Sequence, residues 1–151
     1  MDQKKLIIKI LNLLGANRLS SGYNYIMYGL LLLLENDRRI LNLIKSLYVD
    51  IAAYYNTSWN CVEKNIRHII KSIWISENDD ILKSIFGISP PDKRPTNKEF
   101  FQRMYDFITH YENKNIKHNN LIILCPVSHQ YCKSFAEYCI NALNANEDIK
   151  V

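Results

Sequence analysis

Residues 54–74 read YYNTSWNCVEKNIRHIIKSIW, a pattern typical of a turn followed by one amphipathic helix. Side chains that can carry positive charge recur at i, i+3, i+4 and i+7, a spacing that places them on one helical face. They are Lys64, Arg67, His68 and Lys71. Apolar side chains fall mostly on the other side, at Val62, Ile66, Ile69, Ile70, Ile73 and Trp74. We therefore predict a helix that packs on a small core with its back and presents a basic front.

The residues before this helix predict a helix-turn-helix. From Asp50 onward the chain favours a short first helix, with Asp50 as its N-cap. Asn56 tolerates the left-handed backbone of a turn, and Thr57 or Ser58 can cap the next helix. In a helix-turn-helix the second helix enters the major groove of DNA, where Arg and Lys reach guanine acceptors and phosphates. Glu63, which lies among the cations, could accept from a cytosine amino group.

The amphipathic pattern by itself leaves two interpretations open, because cations at helical spacing are also typical of the solvated surface of a bundle. The net charge of +4 and the isoelectric point near 8.8 are mildly basic. That balance fits a nucleic-acid partner without requiring one. A length of 151 residues and a hydrophobic fraction of 48% are ordinary for a soluble globular chain with one main domain.

The remaining segments predict an all-α fold, a compact bundle of about six helices that contains the helix-turn-helix, plus a C-terminal helical extension. We predict helices at about 3–14, 21–34, 37–47, 50–55, 58–75, 79–86 and 97–112. A proline-rich loop precedes the last of these. Thr96 or Asn97 can cap the helix after it, with Glu99 in the first turn. Lys93 and Arg94 in this loop could touch phosphate, although loop cations are more often only solvated.

A set of short motifs follows in a fixed order between about Ile10 and about Tyr111. The motifs are LYVDIA at 47–52, NT at 56–57, VE at 62–63, IRH at 66–68, Trp74, FG at 86–87 and KRPTNKEF at 93–100, with Gly15 and Gly22-Tyr23 near the start. In this order they resemble the C-terminal effector domain of the stage-zero sporulation master regulators of endospore-forming bacteria. The resemblance implies an all-helical domain that binds DNA as a transcription factor in sporulation control.

The resemblance also implies which residues contact DNA. Glu63, Arg67 and His68 match the recognition-helix pattern of the family, and Lys64 stands where the family usually has Arg. Together with the candidates from the residue pattern, the predicted DNA-binding residues are Ser58, Asn60, Glu63, Lys64, Arg67, His68, Lys71, Lys93 and Arg94.

Two positions at the start of the recognition helix depart from the family. Trp59 replaces a small residue, and Cys61 replaces a basic one. Lysine is not equivalent to arginine at a bidentate guanine contact, and a neutral thiol makes no phosphate clamp. We therefore expect the preferred DNA box of the family, of the TGTCGAA type, to be relaxed or changed for this chain.

The resemblance also bears on regulation. The chain starts at Met1 and reaches the matching region at about Ile10, so we expect no phosphoacceptor receiver domain before it. Control by phosphorylation would then be absent or supplied by another protein. Residues 78–82 correspond to the family surface that meets the sigma subunit of RNA polymerase, which makes that subunit a candidate partner. Asp79 and Ile81 differ from the usual residues there, so repression or competition stays open beside activation.

The resemblance ends near Tyr111. We predict a domain at 1–112, a polar linker at 113–120 and an extension at 121–151. The extension has an apolar stripe at helical spacing, formed by Val127, Tyr131, Phe135, Tyr138 and Ala142. This stripe either packs on the helical domain or pairs with a second copy, so a homodimer through the extension stays open.

The sequence favours neither a metal site nor an enzyme. Cys125, His129 and Cys132 share one helical side and could converge on zinc, but no CxxC is present and core packing is the commoner role of such cysteines. A phosphate-cradling glycine loop and the GxSxG and HExxH motifs are also absent, so we predict no enzyme and no cofactor. The chain has neither a membrane-spanning apolar run nor a signal-peptide cleavage site, which predicts a cytoplasmic protein without a membrane partner.

These observations favour a transcription regulator that binds double-stranded DNA sequence-specifically. The alternative is a protein-interaction module that kept the fold, lost specific DNA binding and modulates a partner regulator. The two hypotheses differ in salt-dependent binding to a duplex, because neutralising phosphates makes affinity fall steeply with salt.

Overall fold

The computed structural model describes residues 2–36, 44–76 and 78–115. This part of the chain forms six α helices and one π-helical turn, without a β strand. In chain order they are α1 (Gln3–Leu13), α2 (Ser21–Glu35), the π-helical turn (Ile44–Tyr48), α3 (Val49–Tyr54), α4 (Trp59–Trp74), α5 (Asp79–Phe86) and α6 (Asn97–Asn115). The predicted all-α fold is confirmed.

The helix boundaries follow the sequence prediction closely. Helix α5 spans the predicted range, and α6 runs past its predicted end at 112 into the first residues of the predicted linker. Of the helix predicted at 37–47, residues 37–43 lie outside the described residues, and the remainder belongs to the π-helical turn. The extension at 121–151, with its apolar stripe and its cysteines, also lies outside the described residues.

Helix α2 lies at the centre of the bundle and packs against α1, α4 and α6. Each of these helices turns one apolar face toward it. The fully buried side chains include Ile7 and Leu11 of α1, Ile26, Leu30 and Leu33 of α2, and Phe100, Phe101 and Met104 of α6. Burying a large apolar side chain contributes about 1.5–3 kcal/mol to folding. This shared core holds the helices at fixed positions.

Helix α2 crosses α4 at Gly22, which is buried between them. A Cβ atom at this position would lie 2.4 Å from the carbonyl oxygen of Asn65 and 2.5 Å from Cγ1 of Ile69. Real Cβ atoms essentially never come this close to atoms to which they are not bonded, so only glycine lets the two backbones approach so closely.

The turn between α3 and α4 has the predicted features. Asn56 adopts a positive φ of 51°. The backbone N–H of Thr57 donates to the carbonyl of Ala52 at 2.9 Å. Ser58 is the N-cap of α4, and its hydroxyl oxygen accepts from the N–H of Cys61 at 3.2 Å. The predictions of a left-handed Asn56 and a capped start of α4 are confirmed.

The prediction of Asp50 as the N-cap of the first helix of the motif is wrong. Helix α3 begins at Val49, so Asp50 lies inside its first turn. The residue before the helix, Tyr48, already has a helical backbone, and no side chain caps the start. Because the π-helical turn runs directly into α3, the chain does not enter from an extended segment and needs no separate cap.

Helix α6 begins with a capping box formed by Thr96 and Glu99. The hydroxyl oxygen of Thr96 accepts from the N–H of Glu99 at 3.2 Å, and a carboxylate oxygen of Glu99 accepts from the N–H of Thr96 at 2.7 Å. The bonds from the backbone N–H and the hydroxyl of Thr96 hold the pKa of Glu99 below its usual value. The prediction that Thr96 caps this helix is confirmed.

Replacing Gly22→Ala should weaken the fold, because the added methyl group must push α2 away from the backbone of α4. We expect the free energy of unfolding to fall by about 1–3 kcal/mol in urea denaturation. The matched control is Ser21→Ala at the exposed neighbouring position, which should change stability by no more than about 0.5 kcal/mol. Equal stability of the two variants would contradict the close crossing.

Replacing Glu99→Gln should reveal the charge in the capping box, because the amide keeps an acceptor oxygen but loses the negative charge. Since the folded pKa of Glu99 is lowered, its ionised form stabilises the fold above the unfolded pKa, and this contribution disappears as the pH falls through the folded pKa. We expect the variant to be less stable than the unmodified protein at pH 7 in urea denaturation. The difference should begin to shrink below about pH 4.5 and should close once the pH is below the lowered pKa of folded Glu99. A difference that stays constant with pH would argue against this role of Glu99.

Candidate nucleic-acid interface

The back of α4 is buried along its length. Val62 and Ile66 are fully buried, and Ile69, Ile70 and Ile73 are nearly so. These side chains belong to the core that α4 shares with α2, α3 and α6. This burial fixes the rotation of α4 about its own axis, because turning the helix would expose the apolar side chains to water. The opposite side of the helix therefore faces solvent.

The front of α4 carries the predicted cations. Lys64, Arg67, His68 and Lys71 are all exposed, and we call these four residues the basic face. Asn60 is also exposed and lies one turn before Lys64 on the same side. The structure thus brings five of the predicted site residues together on one surface.

Ser58 stands at the start of α4, next to this surface. Its oxygen caps the helix, while its hydroxyl proton can still be donated. The N-terminal end of a helix carries a partial positive charge, which favours a phosphate nearby. The start of α4 therefore adds to the positive character of its front.

Glu63 and Arg67 form an ion pair one helical turn apart. The Arg67 side chain keeps 58% of its surface exposed, whereas that of Glu63 keeps only 22%. The carboxylate therefore lies further inside and holds a guanidinium that remains accessible from outside. An exposed ion pair adds little stability, but it restricts the orientation of the guanidinium. The carboxylate predicted to face a cytosine is thus engaged with Arg67 in the protein alone.

A hydrogen-bonded link supports α4 next to this ion pair. The side-chain amide of Asn97 donates to the hydroxyl oxygen of Tyr48 at 2.8 Å and to the backbone carbonyl of Glu63 at 3.3 Å. Burial disfavours the phenolate and raises the pKa of Tyr48 to about 12, so the hydroxyl stays neutral. The link joins the end of the π-helical turn, the second turn of α4 and the first residue of α6.

From the sequence, Asn97 is predicted only as a possible cap of the last helix, and this link is not predicted. Its two partners lie 49 and 34 residues away along the chain. No local pattern marks a contact over such a separation. The only available signal was an amide residue at the start of a helix, which is equally consistent with a cap.

The loop before α6 runs alongside α4. At one end the indole N–H of Trp74 donates to the carbonyl of Asp92 at 3.2 Å. The amide link described above holds the other end. Between these anchors Lys93 is exposed, Arg94 is half-buried and Pro95 is buried. The structure therefore places both predicted loop cations beside α4, within the same region of the domain.

The described part of the chain was also compared with two other kinds of feature, a metal site and a membrane-spanning helix. Within it, no group of three His, Cys, Asp or Glu side chains is arranged to hold a metal ion. The zinc arrangement considered for Cys125, His129 and Cys132 lies outside the described residues. None of the described helices is both long and apolar enough to cross a membrane.

Replacing Asn97→Ala should destabilise the domain, because the buried hydroxyl of Tyr48 loses its hydrogen-bond donor. We expect the free energy of unfolding to fall by about 1–3 kcal/mol in urea denaturation. The matched control repeats the substitution in a Tyr48→Phe background, where no hydroxyl is left without a partner. The cost of removing the amide should be smaller there. The same cost in both backgrounds would show that the Asn97–Tyr48 bond contributes nothing.

The comparison with known protein families agrees with this geometry. The family described as "Sporulation initiation factor Spo0A C terminal" matches residues 7–108, well over half of the chain. The match runs from α1 into α6 and contains the whole of α4. The resemblance stated from the sequence is thereby confirmed. The chain belongs to the family of Spo0A C-terminal domains, which are DNA-binding effector domains of sporulation-related transcription factors and not an enzyme family.

Proposed function

We propose that this protein reads double-stranded DNA sequence-specifically and regulates transcription, with α4 lying in the major groove. The observation that carries the proposal is the basic face, in which four side chains are exposed on a helix whose back is locked into the core. An α helix fits the major groove, which is about 12 Å wide. Because the rotation of α4 is fixed, the side chains that meet the groove are fixed too.

Arg67 is the proposed base-reading residue. Its guanidinium can donate two parallel hydrogen bonds to the O6 and N7 acceptors of a guanine, and this contact requires a defined orientation. Glu63 supports that orientation through the ion pair, so we assign Glu63 a positioning role. Lys64 and His68 lie on either side of Arg67 along the helix and are placed to reach neighbouring base edges or phosphates.

The other predicted site residues are proposed to contact phosphates. Lys71 extends the basic face toward the end of α4, and Ser58 and Asn60 lie at its start. Lys93 and Arg94 flank the helix on the loop. Phosphate contacts position a protein on DNA without carrying sequence information, so these residues should govern affinity more than specificity.

The charge of α4 supports an anionic partner. Glu63 is the only acidic residue in this helix, whereas Lys64, Arg67 and Lys71 are basic. Since Glu63 is largely covered and paired with Arg67, the exposed front is dominated by positive charge. Duplex DNA presents a dense row of negative phosphates and attracts such a surface.

The proposal also includes the compartment in which the protein works and a protein partner beside DNA. A regulator of bacterial transcription works in the cytoplasm, where the chromosome lies. The sigma subunit of RNA polymerase is a proposed partner through α5, where Asp79 is exposed and Ile81 is buried in the core. Of the two unusual residues on this helix, only Asp79 can therefore alter a contact surface.

Replacing Arg67→Ala tests the proposal. We expect the unmodified protein to bind a duplex with an intact TGTCGAA-type box more tightly than a scrambled duplex in fluorescence anisotropy. The variant should lose about 1–3 kcal/mol of this discrimination, because the bidentate guanine contact is gone. Affinity for both duplexes should fall steeply between two salt concentrations. The matched control, Lys83→Ala on α5, removes one exposed positive charge outside α4 and should keep the discrimination.

A different outcome would identify the alternative function. If the unmodified protein bound neither duplex, or bound both equally and without regard to Arg67, sequence-specific DNA reading would be excluded. The domain would then act as a protein-interaction module, and Asp79 and the extension at 121–151 would become the surfaces to test for partners.

A further inference from the structure

Trp59 is an exposed aromatic residue at the first position of α4. The residue is 45% exposed, and it belongs neither to the core nor to the partly buried layer around it within the described residues. The other tryptophan, Trp74, is only 7% exposed and donates its indole N–H to the carbonyl of Asp92. Trp74 therefore packs in the core, whereas Trp59 lies at the surface, where contact between a large apolar ring and water is unfavourable.

The position of Trp59 connects it with the proposed base-reading residue. Trp59, Glu63 and Arg67 follow one another at i, i+4 and i+8, along an edge of α4 that leads from its buried back to the basic face. In a helix-turn-helix the N-terminal residues of the second helix approach the base edges most closely. Trp59 therefore lies at the end of α4 that enters deepest into the groove.

The chemistry of the indole limits what it can recognise there. The ring is neutral and mostly apolar. Its single N–H can donate one hydrogen bond to a phosphate, but the rest of its surface gains nothing from an anionic partner. Among the groups exposed in the major groove, the 5-methyl group of thymine is the apolar one. Covering this methyl group removes apolar surface of both partners from water, which is favourable.

We propose that Trp59 is a specificity-determining residue that contacts the 5-methyl group of a thymine in the major groove. The proposal rests on the proposed function, because it requires α4 to lie in the groove. Eight residues of helix separate Trp59 from Arg67, which corresponds to about 12 Å along the axis. Base pairs are stacked about 3.4 Å apart, so the thymine should lie roughly three to four base pairs from the guanine read by Arg67.

The test replaces the thymines of the box one at a time, on either strand, by uracil, which lacks only the methyl group. We expect one such replacement to weaken binding of the unmodified protein about fourfold in fluorescence anisotropy. The Trp59→Ala variant should bind the thymine box more weakly and show no further loss with uracil. The Trp59→Phe variant keeps an apolar ring and should retain part of the uracil effect.

The matched control is Ile75→Ala, which removes an exposed apolar side chain, 70% accessible, at the other end of α4. It should show the same fourfold uracil effect as the unmodified protein. Circular dichroism should show unchanged helix content for Trp59→Ala, because the side chain lies outside the core.

The possible failures are distinguishable. Box-selective binding that is lost in Arg67→Ala but insensitive to uracil would overturn the role of Trp59 and leave the proposed function intact. A uracil effect that persists in Trp59→Ala would also overturn it. If the unmodified protein showed no box-selective binding, both proposals would fall together.

Discussion

The close crossing of α2 over α4 at Gly22 is the constraint on which the rest of this domain depends. Without a side chain at this position, the backbone of α2 lies directly against the carbonyl of Asn65 and the side chain of Ile69. The apolar back of α4 is thereby pressed into the core and cannot rotate toward solvent. Every exposed group on the front of α4 takes its direction from this contact, so the packing of a glycine inside the bundle determines which side chains can meet DNA.

A second set of contacts holds the same helix from the side. Asn97 joins α6 to the carbonyl of Glu63 and to the buried hydroxyl of Tyr48. Glu63 therefore takes part in two contacts: its backbone carbonyl accepts from Asn97, and its side chain pairs with Arg67. A guanidinium held in this way has less conformational freedom to lose on binding, which supports its proposed role in recognising a particular base. Through Glu63, the buried contacts of Asn97 and Tyr48 are connected to the exposed charge of Arg67.

Two residues at the start of α4, Trp59 and Cys61, depart from the pattern that the family resemblance implies there. Cys61 is half-buried, and its carbonyl oxygen and its sulfur both accept from the side-chain amide of Asn65, one turn later in the same helix. Trp59, by contrast, extends an apolar ring into solvent. The two departures therefore have different consequences. A neutral thiol at Cys61 makes no phosphate clamp, whereas the indole at Trp59 carries the proposed contact with a thymine methyl group.

Much of this architecture was predictable from local sequence. The helix positions, the left-handed Asn56 and the capped starts of α4 and α6 follow from interactions between residues within a few positions of each other, and such interactions are visible in the chain itself. The i, i+4 spacing of Glu63 and Arg67 was visible too, but their pairing was not, because a carboxylate on a helix surface can face a partner or a neighbour. The start of α3 was predicted wrongly because the π-helical turn before it left no sequence signal.

The close crossing at Gly22, the Asn97 link and the exposure of Trp59 depended on which helices meet in three dimensions. These features join or separate residues that lie far apart in the chain, and residue types alone do not specify how distant surfaces pack.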